Sequence, residues 1–126
     1  MLDAARKFYD GRIFERGIYA VTDGRHFESP AEIAMMKGYA DIVGQSLSPE
    51  VYLAREIGAC YANLSFVVNY GEGIFEWSHE VMKGIFFDDA ELIGKILLDA
   101  IKNVESEKIC HCAEYRKETL LKEVYD

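Results

Sequence analysis

Apolar and polar residues alternate along the chain in short blocks, and the residues bounding each block predict its secondary structure. Residues 2–8 read as a helix that ends before Tyr9-Asp10-Gly11. Ile18-Tyr19-Ala20-Val21-Thr22 is β-branched and apolar, a strand stopped by Asp23-Gly24. In Ser29-Pro30-Ala31-Glu32, Ser29 is an N-cap, Pro30 takes the first helical position, and Glu32 closes a capping box. That helix runs through Met35 and Met36 and stops near Gly38. The unit then repeats. Asp41-Ile42-Val43-Gly44 is a short strand, and Ser48-Pro49-Glu50 predicts a second cap with proline first in the helix. Val51, Leu53, Ala54 and Ile57 lie on this helix, which stops at Gly58.

From Tyr61 to Val68 only Asn63 and Ser65 interrupt an apolar run, which predicts a strand buried on both faces. Strands alternating with helices imply a parallel sheet with right-handed crossovers, an α/β fold. Beyond Gly71 and Gly73, Ser78 caps a helix that begins at His79, and Asp88 with Glu91 predicts the cap of another. Leu92, Ile93, Ile96, Leu97, Ala100, Ile101 and Val104 form one continuous stripe, which predicts a core-facing helix. The charged segment from Ser106 to Asp126 carries Leu120, Leu121 and Val124, the pattern of a last short amphipathic helix.

At 126 residues, half of them hydrophobic, the chain is long enough for one core and hardly two. Acidic residues outnumber basic ones by 22 to 14, for a net charge of −8. No Lys/Arg cluster is available to neutralise phosphates, so a nucleic-acid partner is not expected. No stretch approaches the roughly 20 apolar residues of a membrane span. The first seven residues mix acid and base without an apolar core, so they do not read as a signal peptide, and a cytoplasmic, membrane-free protein is expected. Cys60 lies in an apolar run and reads as a buried small hydrophobe. Cys110-His111-Cys112 leaves three readings open: a bland tail, a redox-sensitive pair, or a metal ligand set. The last lacks a second cysteine pair at finger-like spacing, so no metal is expected.

In open α/β sheets the ligand crevice lies outside the carboxyl ends of the strands. That rule selects Arg25-His26-Phe27-Glu28, Gln45-Ser46 and Asn69-Tyr70. Their types suit a 6-oxopurine: a carboxylate accepts from the ring N1–H, a carboxamide serves the N7/O6 edge, and an aromatic covers a flat face. Each also has a plainer reading, Phe27 as a core aromatic, Glu28 as a solvated turn residue, and Asn69 as a turn former.

At these residues the chain resembles the trimeric purine nucleoside phosphorylase and methylthioadenosine phosphorylase family. Asp23-Gly24-Arg25-His26-Phe27-Glu28-Ser29-Pro30-Ala31-Glu32 is similar to that family's Gly-x-x-Phe-Glu-Thr-x-Ala-Glu motif. Residues 40–51, Ala-Asp-Ile-Val-Gly-Gln-Ser-Leu-Ser-Pro-Glu-Val, resemble its Ala-Asp-x-Val-Gly-Met-Ser-x-x-Pro-Glu-Val segment, the most specific of the matches. Val67 to Gly73 resembles its Thr-Asn loop, and Ser78-His79-Glu80-Val81 its late helix start. The Cys-x-Cys tail is similar to that of archaeal and thermophilic members. The resemblance runs in order from near residue 1 to about residue 112. It implies a partial three-layer αβα nucleoside phosphorylase fold with a mostly parallel sheet, comprising residues 1–112 as the carboxy-terminal half of that domain and 113–126 as a charged tail.

The resemblance further implies phosphorolysis of 6-oxopurine nucleosides to base and ribose 1-phosphate, with inorganic phosphate as co-substrate and no other cofactor. Glu28 would bind purine N1–H, and Asn69 would support N7 and O6 as the base departs. Phe27 would pack on sugar or base, His79 would meet the 5′-hydroxyl region, and Ser46 would touch phosphate or ribose. Glu28 with Asn69 is the pairing of members that take inosine and guanosine. Three departures stand beside this. Gln45 replaces a Met that packs under the ribose, so it either contacts the sugar or weakens the pocket. Arg25-His26 replaces Pro-Asn or Pro-Arg. The amino-terminal half with its glycine-rich phosphate loop is not in this sequence, so self-association or a complementing amino-terminal chain is expected. The alternative is a non-catalytic purine-binding or oligomerisation module. A hydrolytic nucleosidase would need a base to activate water, and no candidate is evident.

Overall fold

The computed structural model describes residues 1–115, so the helix expected around Leu120, Leu121 and Val124 lies outside the described residues. Two compact units form, one from Met1–Gln45 with Leu64–Val104, the other from Ser46–Asn63 with the described residues from Glu105 onward.

The first unit opens with α1 (Leu2–Phe8) and closes with the long α4 (His79–Lys102). Their shared face is the core: Ala4, Ala5 and Ile96 are buried, edged by Ile13, Leu64, Leu92 and Ala100. Two alanines in one turn let the helices approach closely, and the ion pair Lys7 Nζ to Asp99 Oδ1 (2.5 Å) closes the rim. Burying a side chain the size of Ile96 is worth roughly 1.5–3 kcal/mol.

Between these helices lies a strand–helix–strand unit, β1 (Tyr19–Val21), α2 (Pro30–Met36) and β2 (Ile42–Gly44). The strands pair in parallel, as the alternation predicted, with Tyr19 opposite Ile42 and Val21 opposite Gly44. The Asp41 carboxylate accepts from the Ile18 amide (2.7 Å) and pins the register at the entry. At the exit the Thr22 amide donates to the Gly44 carbonyl (3.0 Å). The capping box forms as expected: Ser29 Oγ accepts from the Glu32 amide (3.3 Å), and Glu32 Oε2 accepts from the Ser29 amide (2.7 Å). Ile33 and Met36 bury the inner face of α2.

Three expectations are corrected here. The run from Tyr61 to Val68 is not a strand; among the described residues the sheet has β1 and β2 alone. A strand exists only where a neighbour completes its ladder. Its burial also alternates: Leu64, Phe66 and Val68 are half-buried, whereas Val67 is 67% exposed. One face packs, not two. Second, Asp88 and Glu91 cap nothing. Helix α4 runs unbroken for 24 residues, and Glu91 pairs with Lys95 one turn on (2.7 Å). Third, the apolar stripe on α4 is only partly covered, with Ile96 buried, Leu92, Ile93 and Ala100 half-buried, and Leu97, Ile101 and Val104 exposed. Among the described helices and strands, the short α1 is its main packing partner.

In the second unit α3 (Glu50–Glu56) packs near a 3₁₀ turn at Cys112–Tyr115. Its N-cap is Pro49, with no side-chain cap bond, so Ser48 does not cap it as expected. Gly58, at φ 66°, follows the helix end. No helix among the described residues is long and apolar enough to cross a membrane.

Candidate functional site

Parallel pairing of Val21 with Gly44 brings the next residues, Thr22 and Gln45, to the same end of the sheet. Between Thr22 and Glu28 the chain turns through two left-handed residues in succession, Gly24 (φ 78°) and Arg25 (φ 73°). This turn returns the Glu28 carboxylate to the strand tips. Glu28 Oε1 there accepts from Thr22 Oγ1 (2.5 Å) and from Gln45 Nε2 (3.2 Å). The same Gln45 amide donates to the His26 carbonyl (3.0 Å), tying the loop's middle to β2. His26 Nε2 sits 3.4 Å from Glu32 Oε1, outside the loop and next to the helix cap.

Glu28 is half-buried, and its carboxyl titrates below the ordinary carboxylate range. The Thr22 hydroxyl is the main cause, helped by its own backbone amide, by Gln45 and by the charge of His26; partial burial opposes them. A fixed, ionised acceptor results. A ligand that meets it must bring an N–H or O–H.

Asn69 lies on a different loop and is half-buried, its Nδ2 donating to the Tyr70 carbonyl (2.8 Å). That loop lies against the first turn of α2. A Cβ on Gly71 would stand 2.9 Å from Ile33 Cδ1, and one on Gly73 would stand 2.9 Å from Pro30 Cβ. Gly73 also has φ 79°, so only glycine suits the approach. The Asn69 loop therefore rests on the helix whose N-cap directly follows Glu28.

An open cleft of about 780 Å³ is lined by Glu72, Gly73, Ile74, Phe75, Glu76, Trp77 and His79. Trp77 links it to the motif loop: its ring meets Phe27 edge-on (centroids 6.5 Å, 72°) and His79 edge-on (5.0 Å, 75°). Phe27 itself is 69% exposed, so it is not the core aromatic of the plainer reading.

The expected site residues thus fall into groups. Glu28 and Gln45 are hydrogen-bonded; Phe27 and His79 are joined through Trp77; Asn69 sits on the loop over α2. The cleft includes His79 and neither Glu28 nor Asn69. Ser46 opens the second unit. The Gln45 Nε2 is engaged with Glu28 and His26. Thr22 and Trp77 are additions. Each left a trace in the sequence, a hydroxyl closing an apolar strand and the chain's one tryptophan immediately before a helix cap.

In the second unit Cys60 is exposed, which overturns its reading as a buried hydrophobe. Its Sγ lies 3.1 Å from Cys110 Sγ. The Cys110 thiol is lowered to about 7 by the Cys112 amide and by the neighbouring thiols of Cys60 and Cys112, whereas the Cys112 thiol is raised to about 11, chiefly by Cys110.

Residues 2–102 match the family model described as the phosphorylase superfamily. The chain belongs to the phosphorylase superfamily. Among similar proteins is a probable 6-oxopurine nucleoside phosphorylase of Dictyoglomus turgidum, 38% identical over 111 residues, covering 83% of this chain and 42% of the relative. An S-methyl-5′-thioadenosine phosphorylase of Pyrococcus horikoshii is 36% identical, covering 83% and 41%. A probable S-methyl-5′-thioinosine phosphorylase of Methanosarcina acetivorans is 40% identical over 105 residues, covering 81% and 40%. This superfamily chain therefore spans about two-fifths of the length of these relatives. No solved structure matches it.

Proposed function

We propose that this chain is the base-binding portion of a purine nucleoside phosphorylase, acting on 6-oxopurine nucleosides with inorganic phosphate as co-substrate. The observation that carries this reading is the Glu28 carboxylate, held ionised at the strand tips by Thr22 and Gln45. A 6-oxopurine presents an N1–H donor to such a group; a 6-aminopurine presents a lone pair there, which an ionised carboxylate repels. Asn69 supports N7 and O6 and stabilises the charge that grows on the leaving base. A carboxamide carries two N–H groups and a carbonyl, so one bond to Tyr70 does not exhaust it. Phe27 packs on sugar or base, and His79, beside Trp77, meets the 5′ end of the ribose. Ser46 contacts phosphate or ribose. Gln45 acts by holding Glu28. As the base leaves, the anomeric carbon becomes cationic and phosphate attacks it. A donor placed for the departing anion is worth about 2.7–4 kcal/mol.

Exposed apolar side chains on the first unit, including Phe14, Phe27, Met35 and Phe75, support a partner surface, either a second copy or a complementing amino-terminal chain. The second reading is a purine-binding module without phosphorolysis. The engagement of the Asn69 amide with the Tyr70 carbonyl and a cleft containing neither Glu28 nor Asn69 favour it.

The test is hypoxanthine release from inosine and phosphate, with adenosine as the competing substrate. Inosine should be preferred, and Glu28→Ala should lower kcat/KM for it by roughly 10- to 100-fold, the loss of one hydrogen bond to a charged group. Purine binding without phosphate-dependent release supports the second reading. Activity unchanged in both Glu28→Ala and Asn69→Ala excludes these residues from the site.

A further inference from the structure

The three cysteines of the chain, Cys60 and, fifty residues on, Cys110 with Cys112, converge at one place in the second unit. Their Sγ atoms all lie within 4.8 Å of one another, and Cys60 Sγ is 3.1 Å from Cys110 Sγ. The two segments are held together independently of the sulfurs. Lys108 Nζ donates to the Gly58 carbonyl (3.1 Å), and Ala113 Cα stands 3.2 Å from the position a Cβ on Gly58 would occupy. The Arg55 guanidinium also lies over the Tyr115 ring, 5.1 Å from its centre. The turn that begins at Cys112 is therefore docked against the α3 end before any ligand is considered.

We propose that Cys60, Cys110 and Cys112 form a three-thiolate binding site for a soft closed-shell metal ion of the zinc, cadmium or copper(I) class. Two thiolates on a common ion, each about 2.3 Å from it, are separated by roughly 3.8 Å at a tetrahedral angle. The present separations, 3.1 Å for Cys60–Cys110 and none above 4.8 Å, lie within about 1 Å of that value, so side-chain rotation suffices to bring the sulfurs onto one ion. Three thiolates select thiophilic ions over calcium or magnesium, which take oxygen ligands. Each thiol releases its proton to solvent as the ion binds, and no oxidant takes part. His111, between the two tail cysteines, is directed instead to Glu114, its Nδ1 lying 2.7 Å from Oε1. It is not a ligand. A fourth position is left to solvent. The site is built of residues other than those assigned to the purine, so it stands or falls separately from the phosphorylase reading.

The experiment uses the full chain, reduced with a phosphine, stripped with chelator and titrated anaerobically with cadmium(II). Sulfur-to-metal charge-transfer absorption should rise and break at one equivalent per chain, with all three thiols then protected from alkylation and zinc competing for the site. Cys60→Ser, Cys110→Ser and Cys112→Ser should each weaken binding by more than about tenfold, since loss of a mere supporting partner already costs that much. His111→Ala should bind as the unaltered chain does. Where a serine variant fails to fold, thiol protection in the unaltered chain decides. Absence of the charge-transfer band with three free thiols counted would overturn the proposal. So would a Cys60–Cys110 disulfide that persists with cadmium present after reduction, or a break at half an equivalent.

Discussion

Gln45 Nε2 donates to Glu28 Oε1 at 3.2 Å, joining the residue that leaves β2 to the carboxylate that ends the loop after β1. The bond crosses between the tips of two paired parallel strands, so it couples the position of the acid to the register of the sheet. Replacing Gln45 by Met removes this donor and the one to the His26 carbonyl. Gln45→Met should raise the Glu28 carboxyl toward the ordinary range and lower stability by about 1–2 kcal/mol, two ordinary hydrogen bonds. A carboxyl NMR titration together with urea unfolding checks both. An unmoved Glu28 titration would show that Thr22 alone sets it.

Thr22 is the larger influence on Glu28, and its effect has a pH signature. A carboxyl held below its unfolded value stabilises the fold above the ordinary carboxylate range, and that contribution is lost as pH falls through the lowered folded value. Thr22→Val keeps the shape and removes the hydroxyl. The stability gap between the unaltered chain and Thr22→Val should therefore be widest near neutral pH and close in acid. Urea midpoints measured from neutral pH down to about pH 3 test this; a gap that widens in acid contradicts the assignment.

Ser29 carries a helix cap one residue after the proposed purine acceptor. Ser29→Ala should cost about 1 kcal/mol. Glu32→Ala should cost less in the Ser29→Ala background than alone, because the two side chains form one reciprocal box. A double-mutant cycle on unfolding free energy reads this coupling, and simple additivity would refute it.

Gly73 meets Pro30 where a methyl group has no room and at a backbone angle few other residues adopt. Gly73→Ala should destabilise the chain by more than about 1 kcal/mol and shift the Asn69 loop off α2. The thermal midpoint and the amide chemical shifts of Asn69 and Tyr70 report on the two effects. Gly84→Ala, a helical position where an added Cβ meets nothing within 4 Å, serves as the control and should be neutral or stabilising.

Much of this chain was legible before any coordinates. Local chemistry explains why: α1, the Ser29–Glu32 box and the end of α2 near Gly38 depend on residues within a turn of one another, and β1 and β2 are bounded by turn residues even though their pairing is not local. The motif residues Phe27, Glu28 and Gln45 were legible for the same reason, as they close strands whose ends Asp23-Gly24 and Gly44 mark. The run from Tyr61 to Val68 misled because apolarity announces burial without naming a partner. Asp88 with Glu91 misled because a capping pattern inside a long apolar stripe is outweighed by continuing helix.

Sequence alone determined the order of elements from α1 to α3, the superfamily and the residue types at the strand ends, since these depend on neighbours along the chain. Only the tertiary structure decided that Thr22 and Gln45 hold Glu28, that Trp77 joins Phe27 to His79, and that Cys60 meets Cys110 across fifty residues. Each is a contact between segments that no local pattern connects, made when strand pairing and loop packing bring distant backbones to one place.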